Sequence, residues 1–105
     1  MTAKEFLFTL PEKVQPETLD GLETTFHFDI SGDGGGQVTV HVKDGKCVAE
    51  EGLQGEPKCV VKAKEENLMN VLKGKINPLM AILTGKLKIS NQGEMMKYAK
   101  IFGLM

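Results

Sequence analysis

Gly74-Lys75-Ile76-Asn77-Pro78-Leu79-Met80-Ala81-Ile82-Leu83-Thr84-Gly85-Lys86-Leu87-Lys88-Ile89 carries, in order, the start of a helix, its end and the opening of a strand. Asn77 suits an N-cap because its side-chain oxygen can accept from a free amide of the first turn. Pro78 suits the next position, where no amide hydrogen is needed. Gly85 stands where a left-handed residue ends a helix at little steric cost. Lys86-Leu87-Lys88-Ile89 then alternates with the period of two of a half-buried strand. The stretch predicts a short helix running directly into a strand, and none of its residues is suited to bond-making chemistry.

Working outward, residues 92–102 return to helical periodicity, with Met95, Met96, Ala99 and Phe102 on an apolar arc and Glu94, Lys97 and Lys100 outside it. On the other side, Glu65, Glu66 and Asn67 lead into Leu68, Met69, Val71 and Leu72 and close on Lys73-Gly74. Acids at the start, a cation at the end and a glycine stop are what the helix dipole and its terminus favour.

Upstream, Thr24-Thr25-Phe26-His27-Phe28-Asp29-Ile30 and Val38-Thr39-Val40-His41-Val42-Lys43 alternate apolar with polar residues and read as the two strands of a hairpin. An even register across the glycine-rich loop puts Phe28 opposite Val40 and His27 opposite His41. Phe26, Phe28, Ile30, Val38, Val40 and Val42 then share one face. Asp44-Gly45 turns into a third strand over 46–50, and a fourth over 58–63 places Cys59, Val61 and Ala63 together. At the start, Phe6, Leu7, Leu10 and Val14 recur at helical spacing, although Pro11 is expected to interrupt the helix. Pro16 and Glu17 suit a further helical turn.

At 105 residues the chain has room for one domain and one core, taken as 1–105. Its 41% hydrophobic and 26% charged residues are those of a soluble globular protein, and a net charge of -1 offers no footprint for nucleic acid. The N-terminal residues lack the apolar core of a secretory signal and no run approaches a membrane span, so a cytoplasmic location is expected. Cys47 and Cys59 read as reduced small hydrophobes on strands.

The motifs that suggest chemistry fall short of it. Asp29-x-Ser31-x-Asp33-Gly34 matches the first half of a calcium loop, but Val40 stands where a bidentate glutamate is required. His27 and His41 lack a third ligand, so no metal site is assigned. Gly74-Lys75 and Gly85-Lys86 lack the spacing of a phosphate-binding loop, and no serine sits in a nucleophile-elbow context. No catalytic residue and no cofactor is assigned. Five of the six methionines (Met69, Met80, Met95, Met96 and Met105) fall in the second half. They serve either as core filling or as a deformable wall around an apolar ligand.

The element order, together with Gly74-Lys75-Ile76-Asn77-Pro78 and Thr84-Gly85-Lys86-Leu87-Lys88-Ile89 at their spacing, resembles the sterol carrier protein type 2 family over nearly the whole chain. The resemblance implies an α+β fold: a five-stranded, mainly antiparallel sheet with helices on one face and an apolar tunnel between. It implies a non-catalytic carrier of fatty acids, fatty acyl-coenzyme A or sterol-like lipids, with transient membrane or enzyme contacts. The implied lining is Phe26, Phe28, Ile30, Val38, Val40 and Val42 of the sheet with Leu68, Leu72, Met80 and Leu83 of the helices. Met95, Met96, Ala99, Phe102 and Met105 would form a lid. Two departures are visible: Ser90-Asn91 replaces a lysine and glycine common in the family, and Ile82-Leu83 stands where an aromatic residue or Met is frequent. The ending Gly103-Leu104-Met105 is not a peroxisomal signal of the Ser-Lys-Leu type, which favours a free-standing microbial member. The rival reading is an accessory subunit whose groove takes a partner helix or presents a lipid to an enzyme.

Overall fold

The computed structural model describes residues 1–101, with Pro16 and Ala99 described by their backbone only. The chain begins in helix α1 (Ala3–Lys13), whose Thr2 hydroxyl accepts from the Glu5 amide while the Glu5 carboxylate accepts from the Thr2 amide. This reciprocal cap satisfies two donors that a helix start leaves free. Against the expected interruption, the helix runs through Pro11. Proline there forfeits one bond in the last turn, while burial of Ala3, Leu7 and Leu10 holds the preceding turns.

After a 3-10 turn (Pro16–Leu19) come strands β1 (Thr24–Ser31), β2 (Gly36–Lys43), β3 (Lys46–Glu51) and β4 (Cys59–Lys64). Helices α2 (Glu65–Leu72) and α3 (Pro78–Leu83), strand β5 (Leu87–Ile89) and helix α4 (Gln92–Ile101) complete the order. The five strands form one sheet in the order β3-β2-β1-β4-β5. Three neighbouring pairs are antiparallel and β1 with β4 is parallel, so the sheet is mixed but mostly antiparallel.

The hairpin register differs from the expected one by two residues: Phe26 faces Val40, Phe28 faces Val38, His27 faces Thr39 and His41 faces Thr25. A shift of two keeps every side chain on its expected face. The chain turns earlier because Gly35 lies so close to the Ile30 carbonyl that a Cβ there would stand 2.3 Å from its oxygen. The two histidines are therefore not directly opposed, and the Nε2 of His27 donates to the Gln54 carbonyl at 2.8 Å.

The pairings Phe26 with Cys59, Phe28 with Val61 and Ile30 with Ala63 carry one apolar face across the middle of the sheet, and Leu87 and Ile89 extend it at the edge. The helices cover this inner face. Across the outer face runs the connection from β3 to β4, which buries Thr39 and His27. The Thr39 hydroxyl donates to the Gly52 carbonyl at 2.7 Å and accepts from the Gln54 amide at 2.9 Å. Polar side chains in mid-sheet thus keep their partners after burial.

Candidate functional site

A cavity of about 50 Å³ lies between the inner face of the sheet and the helices. Its floor is Phe28 of β1, Val61 of β4, and Leu87 and Ile89 of β5. Each helix contributes wall residues by its own periodicity. Phe6, Leu7 and Leu10 come from α1, and Leu68, Val71 and Leu72 from α2, at spacings of three and four that put them on one side of a helix. Pro78 and Ile82, four apart, come from α3, and Met95 and Met96 from α4. Every lining side chain is apolar, so the cavity offers dispersion contact and no hydrogen bond.

The cavity is graded from floor to rim. Leu7, Leu10, Phe28, Val61, Leu68, Val71 and Leu87 are buried, whereas Phe6, Leu72, Pro78, Ile82, Ile89, Met95 and Met96 are half-buried. The rim therefore draws on all four helices. The Lys13 ammonium sits 4.0 Å from the centre of the Phe6 ring, so one cation stands near the entrance.

Of the residues expected from sequence to line the site, Phe28, Leu68, Leu72, Met95 and Met96 come together there. Phe26, Ile30, Val38, Val40 and Val42 are buried on the expected face but belong to the solid core beside the cavity. The reason is the placement of α1, which packs over β2 and β3 and fills that half of the sheet, leaving space only over β1, β4 and β5. Met80 and Leu83 are 54% and 79% exposed on the outer side of α3. Asn77 caps α3 through a bond from the Leu79 amide at 2.8 Å, and this start turns Pro78, Ala81 and Ile82 inward instead. The side chain of Ala99, and Phe102 and Met105 altogether, lie outside the described residues.

Tyr98 is the main residue that sequence reasoning missed. It is fully buried, with its ring edge-on to Phe26 at 5.6 Å and 72°. Its spacing of three from Met95 and from Ile101 was the available signal. Tyrosine reads as amphipathic, and a polar tip masks a core position in a hydrophobicity pattern.

The start of α4 is clasped to the sheet. The Thr24 hydroxyl, almost wholly buried, donates to the Glu94 carboxylate at 2.5 Å. Asn91 accepts from the Glu94 amide through its side chain and donates to the Lys58 carbonyl. Ser90 accepts from the Val60 amide at 2.8 Å. Ser90-Asn91 therefore caps α4 and ties it to β4, immediately before the methionines at the rim.

Titratable groups near the site do not form reactive arrangements. Burial pushes the Cys47 thiol up to about 11, and burial also raises Cys59, whose sulfur donates to the Asn91 carbonyl. Burial, aided by the nearby Glu94 charge, raises the Tyr98 phenol. Thiols so shifted stay protonated and poorly nucleophilic at neutral pH. Among the described residues no three or more His, Cys, Asp or Glu side chains are grouped to hold a metal ion, and no helix is long and apolar enough to cross a membrane.

This sheet order and inner cavity recur in solved structures. The sterol carrier protein domain 2 of Helicoverpa armigera superposes with a TM-score of 0.73 at 22% identity, covering 94% of this chain and 81% of that one. Palmitated SCP2L2 from Aedes aegypti gives 0.75 at 20% identity, covering 97% and 95%. The sec-alkylsulfatase Pisa1 from Pseudomonas sp. gives 0.78 at 19% identity; there this chain is covered completely but spans only 16% of the sulfatase. These likenesses establish the shared fold. No curated protein sequence matches the chain. The model of the SCP-2 sterol transfer family, by contrast, matches residues 3–105, so that the sheet, the four helices and the cavity between them all fall within it, and the chain belongs to that family.

Proposed function

We propose that this domain binds one elongated apolar lipid, a fatty acid, fatty acyl-coenzyme A or sterol-like molecule, and carries it between membranes or enzymes inside the cell without acting on it. The observation that supports this reading is the wholly apolar cavity walled by all four helices. Sixteen buried methylenes at about 0.8 kcal/mol each supply on the order of 13 kcal/mol, against association costs of about 4 to 15 kcal/mol. Micromolar to nanomolar affinity is within that range without any polar anchor.

At about 50 Å³ the cavity is far smaller than the roughly 300 Å³ at which small-molecule sites begin. Loading therefore requires the helices to part. The rim methionines are suited to this, because an unbranched thioether repacks around irregular partners more readily than a branched side chain. Met95 and Met96, continued in sequence by Ala99, Phe102 and Met105, form the moving wall, and the Thr24–Glu94 clasp holds the other end of α4 in place.

A second reading has one observation in its favour: in the Pisa1 sec-alkylsulfatase the same fold occupies a small part of a larger chain. On that reading the domain presents an apolar substrate to an enzyme. Native mass spectrometry of the freshly purified protein, with organic extraction of any bound lipid, tests the carrier reading. A chain that is persistently empty and fails to bind fluorescent fatty acids removes it.

A further inference from the structure

Helix α3 is apolar all round: Pro-Leu-Met-Ala-Ile-Leu contains no polar residue. Its inner side is accounted for, since Ala81 is buried and Pro78 and Ile82 line the cavity. The outer side is not, for Leu79, Met80 and Leu83 are 49%, 54% and 79% exposed. They are three of the six large hydrophobic residues found exposed among the described residues, gathered on one short helix. A helix that is apolar on every side is ordinarily buried on every side.

The charges around this helix are one-sided. Between Asn67 and Gly93 the sequence has no Asp or Glu but has Lys73, Lys75, Lys86 and Lys88, all exposed, although the whole chain carries a net charge of -1. Lys88 stands directly opposite Lys62 across β4 and β5, and Lys62, Lys64, Lys86 and Lys88 line one shallow depression in which Asp29 is the sole acid. Like charges set opposite one another in a sheet destabilise it, so this arrangement costs stability unless something anionic neutralises it.

We propose that α3 and its lysines dock this domain on a membrane surface carrying anionic lipids, with Leu79, Met80 and Leu83 entering the headgroup boundary and the lysines meeting the phosphates. A bilayer fits better than a protein partner because side chains this exposed need no matching pocket in a fluid interface. The position also suits cargo exchange, since the inner side of the same helix is the wall of the cavity. That last point rests on the carrier reading; the docking itself does not.

Flotation of the full chain with phosphatidylcholine vesicles, with and without phosphatidylserine, tests the proposal. The expected result is binding to the anionic vesicles alone, lost as salt rises from about 0.15 M to about 1 M and the screening length shrinks from about 8 to about 3 Å. The paired variant Lys86→Gln, Lys88→Gln should bind about 25-fold more weakly, at about fivefold per lysine. Leu79→Ser with Leu83→Ser should lose about tenfold or more, with an unchanged thermal midpoint and unchanged palmitate binding in vesicle-free solution. If the wild type ignores both vesicles, or the leucine pair floats as the wild type does, docking is overturned; palmitate binding then decides the carrier reading separately. Wild-type dimers in vesicle-free solution that the leucine pair abolishes would assign the face to a second copy and likewise overturn it.

Discussion

Leu68→Ala and Val40→Ala form a pair that separates cavity wall from solid core. Leu68 is 5% exposed and lines the cavity, whereas Val40 is wholly buried in the part of the sheet that α1 covers. Losing three carbons from Leu68 removes about 2.4 kcal/mol of transfer free energy, and losing two from Val40 about 1.6 kcal/mol. The void term then differs. Val40 leaves a new hole in packed surroundings, worth roughly another 1 kcal/mol, while Leu68 widens a space that already exists and whose contacts are already incomplete. Both variants should therefore lose about 2–3 kcal/mol in urea unfolding. They should part when palmitate is added at about 100 times its Kd, where the wild type gains about 2.7 kcal/mol. A ligand that fills the cavity also fills the space left by Leu68, so that variant should gain up to about 1.4 kcal/mol more than the wild type, and Val40→Ala should gain the same as the wild type. A loss above about 4 kcal/mol for Leu68→Ala, with equal palmitate increments in the two variants, would refute the reasoning.

Three further outcomes follow from the structure. Thr24→Val removes the buried donor to Glu94 and should cost about 1.5 kcal/mol in urea unfolding, while speeding release of a fluorescent fatty acid in stopped-flow displacement; unchanged release would mean that α4 does not hinge there. The folded Cys47 thiol keeps its proton up to about 11, so between pH 9 and 11 the unfolded chain has lost a proton that the native one retains. Stability from this group is thus fully present below about pH 9 and is lost as pH rises toward 11, and Cys47→Ala should flatten that part of a melting-temperature profile. Gly35→Ala would set a methyl 2.3 Å from the Ile30 carbonyl oxygen and should cost about 3 kcal/mol; a loss below about 1 kcal/mol would show that the hairpin loop can give way.

The local elements were legible because their causes are local. Asn77-Pro78 and Gly85 mark both ends of α3, and the alternation of β1, β2 and β4 assigns each inner side chain to the correct face. Where the reading failed, the deciding contact lay far away in sequence. Pro11 is tolerated because α1 is held by burial against the sheet, and the hairpin pairs two residues closer to its turn because glycine lets the chain pass beside the Ile30 carbonyl. Periodicity showed which helix residues are apolar, yet Met80 and Leu83 point outward while Ile82 points in. A helix apolar on every side carries no amphipathic signal of which side is inner.

By itself, then, the sequence determined the order of helices and strands, the apolar face of the sheet, and, through the Gly-Lys-x-Asn-Pro and Gly-Lys-Leu-Lys-Ile segments, the family resemblance. All of these depend on capping, turn chemistry and period, which act over a few residues. Only the tertiary structure decided that α1 fills one half of the inner face and leaves the other half open, that β4 runs parallel beside β1, and that Thr24 clasps Glu94 across 70 positions of chain. Those outcomes depend on which surfaces meet after the elements have formed, and the free energy of that meeting is shared among residues that no short window of sequence contains.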